Sequence, residues 1–460
     1  MIMDNLPFIV LFAFLSLFYF IIGFLTTRHV KNTQDYFLAG RTLGIIPVTF
    51  TLIATQIGGG MILGTAEKAY TMGFLGICYS ISMSLGFFLL SCGISSRLQS
   101  FQISTTADIF EKYFGSPVLK KCAALLSICT MSGLFLGQII ASRSLLYGIG
   151  ITQEWLIISL WMLILLYTVA GGLKAVVYTD IAQTLVVLVT FVSLFLYQFL
   201  KEQSNFFGFQ SLLEIQKKFT ESIDYQHAIP VLFLPALFAL FEQDLAQRFF
   251  ASRSPFVARI SAFLAAISLL SFAFIPTYFG VKANLLNLTI EAGANPLLPM
   301  LLSFAPYAAY LLAICALMAA ISSTADSLLC AISSELVEGL QLYGPKNMSP
   351  LKFARLATLL IGGGAFLLSY IVPLNIIDIL VESYALSVSC ILVPFLACII
   401  STHQSKSAGI YSMLFGFVGF GLFRFIPGLW YRDILAIGLS FIGYVIGQTI
   451  HKRPYSIYST

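Results

Sequence analysis

The sequence predicts an all-α polytopic membrane protein of about thirteen transmembrane helices, arranged as an inverted five-plus-five helix repeat with broken first helices. Three observations carry that expectation. Apolar runs long enough to cross a hydrocarbon core of about 30 Å recur along the chain. Hydrophobic residues make up 58% of its 460 positions and charged ones only 10%, with a mean hydropathy of +0.92. That is too little charge to cover a water-soluble surface. Finally, two spans five apart are interrupted by helix breakers, as inverted-repeat transporters require. A β-barrel is not expected, because its strands would alternate in blocks of roughly ten residues.

The spans read as 6–26, 43–70, 73–96, 122–148, 154–173, 175–200, 227–250, 257–281, 299–333, 353–372, 376–401, 408–425 and 433–450. The first has no basic flank, only Asp4, and its apolar run exceeds that of a signal peptide. It is expected to stay as an uncleaved helix. The second carries Gly58-Gly59-Gly60, and each glycine costs a helix about 1 kcal/mol relative to alanine. The seventh carries Pro230, Pro235 and the polar run Glu242-Gln243-Asp244. These two spans cross in opposite directions. The expected organisation is therefore one transporter domain over 1–460: an extra helix at 6–26, repeat one over 42–200, repeat two over 227–402, and peripheral helices over 408–450.

The net charge is +5, and its distribution sets the orientation. With the N-terminus outside, 17 of the 25 basic residues fall on inside loops or helix ends. The positive-inside rule then predicts an outside N-terminus and a cytoplasmic C-terminus in a plasma (inner) membrane. The eight cysteines all lie in apolar segments and show no metal-ligand spacing, so they are expected to pack as small buried hydrophobes.

Several function classes fall away. The longest polar segments, 201–226, 97–121 and 334–352, offer no output domain for a sensor, and no GxxxxGK[ST] phosphate loop occurs. No histidine cluster or nucleophile motif suggests an enzyme, and no filter-like repeat suggests a channel. Nothing calls for an organic cofactor or a nucleic-acid partner.

Ionisable groups at membrane depth are costly and usually mark function. Four acidic candidates stand out: Asp180 in "YTDIAQ", Glu242 and Asp244 in "FEQDLAQR", and Asp326 in "AAISSTADS". Asp378 and Glu382 lie nearer a helix start and are expected to be wet. Around Asp326, helical spacing puts Ala320, Ser323, Thr324 and Ser327 on one polar stripe flanked by small residues. Hydroxyls and a carboxylate suit a hard cation such as Na⁺, and an opened helix at "ATQIGGG" would release carbonyls toward it. The plainer reading is helix-packing glue, with the hydroxyls bonding back to their own helix. Asp180 has a plain reading too, an ion pair with Lys174. Gln56 and Gln138 are either interhelical hydrogen bonders or solute ligands, and Arg248 reads as a snorkelling anchor.

Five motifs in order resemble the sodium:solute symporter family: "DYFLAGRTLG" (35–44), "ATQIGGGMILGTAEKAY" (54–70), "YTVAGGLKAVVYTDIAQ" (167–183), "QRFFASRS" (247–254) and "AAISSTADS" (319–327). The glycine-rich and "SSxADS" motifs look most like the high-affinity choline transporter branch. The resemblance implies a Na⁺ site at Ala54, Ile57, Ala320, Ser323 and Thr324. It implies a second site around Asp180 with Ser323, Asp326 and Ser327. Asp326 stands where other members have serine, so that site is expected to be altered in charge or to take a proton.

The resemblance also places Gln56, Gly58, Gly59, Gly60, Gln138 and Glu242 beside the solute. Where the choline branch has tryptophans, this chain has Gln56 and Glu242, and its three tryptophans lie outside the cavity motifs. A small polar solute, such as an amino acid or another metabolite, or a cationic amine, fits better than choline or another quaternary amine. The expected function is Na⁺-coupled import by alternating access. A proton-coupled symporter or a uniporter of the same fold is the alternative.

Overall fold

The computed structural model describes residues 6–28, 30–201, 216–217, 219, 225–288, 290, 295–342, 344–345, 348–371, 376–401, 404–426, 428–429 and 431–450, with the side chains of 225–229 and 376–379 outside that description. Among the described residues every named element is a helix, and the one β-bridge joins Leu43 to Ser252.

The first half begins with α1 (Leu6–Thr27) and the short α2 (Thr33–Leu38). Next come α3 (Ile45–Gln56), a π-helical turn (Gly60–Gly64) and α4 (Thr65–Met72). After these follow α5 (Cys78–Leu89), α6 (Ser95–Ser100), α7 (Ala107–Phe114), α8 (Pro117–Gly148) and α9 (Glu154–Lys201). The second half holds α10 (Tyr225–Ala239), α11 (Gln243–Ala251), α12 (Pro255–Leu285), α13 (Leu297–Phe304) and α14 (Tyr307–Ser334). It closes with α15 (Pro350–Leu368), α16 (Ile376–Ile400), α17 (Lys406–Arg424) and α18 (Arg432–Ile450).

Local sequence explains several starts. Ser116, Ser254 and Ser349 each cap a helix whose next residue is proline, and each hydroxyl accepts a backbone N–H three positions on. Serine satisfies an orphan amide, and proline at the first position gives up a donor the helix does not need.

Every expected span has helical counterparts, but among the described residues ten continuous helices are long and apolar enough to cross a membrane rather than thirteen. The difference is one of continuity. The spans at 154–173 and 175–200 form the single run of α9, bent at Gly172 (φ 55°, ψ −150°). A side chain there would strike the Tyr36 carbonyl oxygen, so only glycine fits the bend. The spans at 43–70 and 227–250 are instead split in two, between α3 and the π-turn and between α10 and α11.

The two breaks lie side by side. Leu43, before α3, exchanges backbone hydrogen bonds with the segment after α11: its N–H donates to Ala251 (3.1 Å) and its carbonyl accepts from Arg253 (3.0 Å). The leading half of one broken helix thus packs beside the trailing half of the other, as inverted repeats demand. Helix α14 passes through the middle, with 83% of its spanning window buried, whereas α1 is the most peripheral at 17%. Cysteines 315, 330, 390 and 398 are buried as expected; Cys92, Cys122 and Cys129 are exposed on the apolar exterior, where a small apolar side chain also fits.

Candidate functional site

The first break frees a carbonyl. Beyond α3 the chain turns at Ile57 (φ −78°, ψ 67°), whose N–H still reaches the Ile53 carbonyl at 2.9 Å. The Ala54 carbonyl accepts instead from Ser323 Oγ (3.2 Å) and Thr324 Oγ1 (3.3 Å) on α14. Those hydroxyls also lie 3.0 and 3.2 Å from the Ala320 carbonyl. Four of the expected Na⁺ ligands therefore converge, with Ile57 at the turn itself. Hard cations take oxygens at roughly 2.3–2.6 Å, so oxygens sharing one lie roughly 3.0–3.5 Å apart. The donor set has the right chemistry for such an ion, and all five residues are buried.

The glycines are explained by their neighbours. A Cβ at Gly58 would strike Thr324 Oγ1, one at Gly59 would lie 2.7 Å from Ala141 Cβ, and one at Gly60 would lie 2.5 Å from Leu380. Three helices press on the break from three sides. The amide of Gly59 is not left unpaired: it donates to Gln138 Oε1 at 3.0 Å.

Arg248 differs from expectation. It is fully buried and does not snorkel. Its Nε donates to Thr51 Oγ1 (2.9 Å), its Nη1 to the Asp244 carbonyl (2.8 Å) and carboxylate, and its Nη2 to Ser327 Oγ and Asp180 Oδ2 (3.5 Å). Thr51 also donates to Asp180. The ion pair of Asp180 is thus with Arg248 and not with Lys174, which is half-exposed. The reason is the return of the chain after α11 to Leu43, which carries the end of that helix into the protein rather than to a lipid interface.

Asp326 accepts from Tyr167 at 2.5 Å. Asp180, Asp326 and Ser327 are brought together, with a guanidinium between the first and the last. One oxygen each of Asp180, Asp244 and Asp326 has no hydrogen-bond partner. Glu382 is tied to Arg424 and Arg432 at the peripheral helices, and the side chain of Asp378 lies outside the described residues.

Next to the first break is a cavity. Gln56, Gly58, Gly60, Gln138, Glu242 and Thr324 line it, with Asp244, Thr55, Tyr79 and Tyr384. Of the expected solute residues only Gly59 is behind its wall, bonded to Gln138. About 20 Å³ is open to the centre of a water-sized sphere, room for about one water. The chamber is closed around its polar groups. Tyr79 and Tyr384 were not anticipated; their hydroxyls lie 3.0 Å apart, and the Tyr384 ring stands 4.9 Å from that of Phe238. Neither sits in a motif, and tyrosines are frequent in this chain.

Below the cavity a strap crosses α11. The Thr106 N–H donates to Gln243 Oε1 (2.7 Å), Gln243 Nε2 donates to the Ser104 carbonyl (3.3 Å), and Thr106 Oγ1 donates to Glu335 (3.1 Å). Arg41 binds the Ile103 and Phe250 carbonyls from the other side. Among the described residues no group of three or more His, Cys, Asp or Glu side chains is placed to hold a metal ion, so a transition-metal centre has no support here.

Comparisons with known proteins give the family and the fold. A model described as the sodium:solute symporter family matches residues 36–416. The chain belongs to the sodium:solute symporter family. Among similar proteins, the chain is 31% identical over 157 residues to a high-affinity choline transporter 1 of Caenorhabditis elegans, covering 33% of this chain and 26% of that protein. It is 28% identical over 189 residues to a sodium/myo-inositol cotransporter 2 of Rattus norvegicus, covering 39% and 28%. The alignments thus span about a quarter of the length of these relatives. A solved Na⁺-coupled sialic acid symporter, in a substrate-bound outward-open state, superposes with a TM-score of 0.79 at 16% identity over 98% of both chains. At that identity the likeness establishes the fold. The chain is a multi-pass membrane protein of that fold.

Proposed function

We propose that this symporter imports a small polar organic solute by alternating access, driven by Na⁺ bound at Ala54, Ile57, Ala320, Ser323 and Thr324. The observation that carries the reading is the shared wall at the first break. Thr324 both touches the freed Ala54 carbonyl and lines the polar cavity. Gln56, Gln138 and Glu242 then hold the solute, and Gly58, Gly59 and Gly60 let the helices close on it. Repeat one (42–200) and repeat two (227–402) rock against each other, with the N-terminus outside and the C-terminus in the cytoplasm of a plasma-membrane protein.

At the second position, Asp180 and Ser327 share the Arg248 guanidinium, which supplies a fixed positive charge where the family resemblance implied a second Na⁺. Asp326 keeps one oxygen without a partner, and this supports proton coupling as the second reading. Solute uptake into proteoliposomes under imposed Na⁺ or H⁺ gradients tests both. Uptake that follows only the Na⁺ gradient is expected. Uptake unaffected by Na⁺ would defeat the proposal.

A further inference from the structure

The charges around the two breaks do not balance. Asp180, Glu242, Asp244 and Asp326 are buried there, and Arg248 is the basic residue among them. Arg248 engages Asp244 and Asp180. Glu242 makes no ion pair with it, and its Oε2 is left with no hydrogen-bond partner. A Na⁺ at the Ala54 carbonyl adds one positive charge, which leaves the four carboxyl groups still in excess. The cavity lining contains no lysine, arginine or histidine. An ionised carboxylate buried without a counter-charge is among the most expensive groups a membrane protein can hold.

Such a carboxyl is neutralised either by a proton or by a cation that arrives with the solute, and the second of these makes the carboxylate a recognition group. An anionic solute would add charge of the same sign. A neutral hydroxyl would supply a donor but no charge. A quaternary ammonium would supply charge but no N–H, leaving Oε2 unsatisfied. A protonated amine supplies both, and a charge-assisted hydrogen bond to a carboxylate is the stronger kind. The Tyr79, Tyr384 and Phe238 side of the site offers aromatic surface to the carbon part of such a solute and to its charge.

We propose that the solute is an organic cation with at least one N–H on its charged nitrogen, held by the Glu242 carboxylate. This rests on the reading of the cavity as the solute site and adds to it the class of solute.

The test is binding to the purified full-length chain in NaCl, followed by thermal unfolding and calorimetry. The probes are ethanolamine, N,N-dimethylethanolamine, choline, ethylene glycol and glycolate. The two N–H cations should bind, choline should bind at least about tenfold more weakly, and the neutral and anionic probes should not compete. Glu242→Gln should lose the N–H cations while the stabilisation by NaCl over KCl persists, which reports that the variant is folded. Glu242→Asp should retain part of the affinity. Equal binding of choline and dimethylethanolamine, unchanged binding to Glu242→Gln, or no binding of either N–H cation would each overturn the proposal. Failure here is separable from failure of Na⁺ coupling. Na⁺-driven uptake of a neutral solute keeps the symport reading and removes this one. Binding of N–H cations with no dependence on Na⁺ does the reverse.

Discussion

Arg248 Nε and Thr51 Oγ1, 2.9 Å apart, tie the trailing half of the second broken helix to the leading half of the first. Neither group reaches water, since both residues are fully buried. The contact makes the two halves one body and places a permanent cation between Asp180 and Asp244.

Arg248→Lys should therefore not be a mild change. An ammonium keeps the charge but loses the fork that serves Thr51, Asp244, Ser327 and Asp180 at once. Arg248→Gln leaves buried carboxylates unpaired and should cost about 3–5 kcal/mol of stability. Thermal unfolding in detergent, with expression level as a second readout, checks both. A near-native melting temperature for Arg248→Gln would contradict the ion-pair assignment.

Asp180→Asn tests the partner. It should lose transport, and neutralising Lys174 as well should not restore it. Rescue by the Lys174 change would return the pair to Lys174 and leave Arg248 without its proposed role.

Ser323→Ala and Thr324→Ala each remove one hydroxyl from the group around the Ala54 carbonyl. Each should raise the Na⁺ concentration for half-maximal uptake by roughly tenfold, the loss of one hydrogen-bond-sized contact to a charge. Expression should be nearly intact, and Thr324→Ser should stay close to wild type. Unchanged Na⁺ dependence in both alanine variants removes the site.

Gly58→Ala inserts a methyl against Thr324 Oγ1. Overpacking of this kind costs about 1–3 kcal/mol, and here it would push an ion ligand out of place. The expected result is a folded protein with weakened response to Na⁺ in a thermal-shift titration. Gly364→Ala, where a Cβ meets nothing within 4 Å, serves as the control.

Gln243→Ala removes the acceptor of the Thr106 amide and the donor to Ser104. The strap over 103–106 should loosen, read as faster amide hydrogen exchange in that segment than in wild type. Equal exchange would mean that Glu335 and Arg41 hold it alone.

The spans were legible because hydropathy over twenty residues is a strong signal, and the first break because three consecutive glycines have few other uses. The continuity of α9 was not legible: the sequence reads as two spans, 154–173 and 175–200, divided at Lys174, yet the chain runs on through a bend at Gly172 packed on Tyr36. Arg248 was misread for a more general reason. Its distance along the helix suggested an interface, but the chain after Ala251 turns back to Leu43, so depth in sequence is not depth in the bilayer. Tyr79 and Tyr384 gave no signal, because a tyrosine that lines a cavity looks the same in sequence as one that faces lipid. The strap was invisible as well, since it depends on backbone groups of 103–106 meeting side chains far away in the chain.

Thr324 both bonds to the Ala54 carbonyl and lines the cavity. Two ligands that meet at one side chain are joined by thermodynamic reciprocity. Whatever factor Na⁺ adds to the affinity for solute, the solute must return to the affinity for Na⁺. The size of that factor is then set by how rigidly one threonine rotamer is held. A side chain locked by its carbonyl partners passes nearly all of the preference across, and a freely turning one passes little. The tightness of coupling in this transporter is, on this view, a property of a single torsion angle.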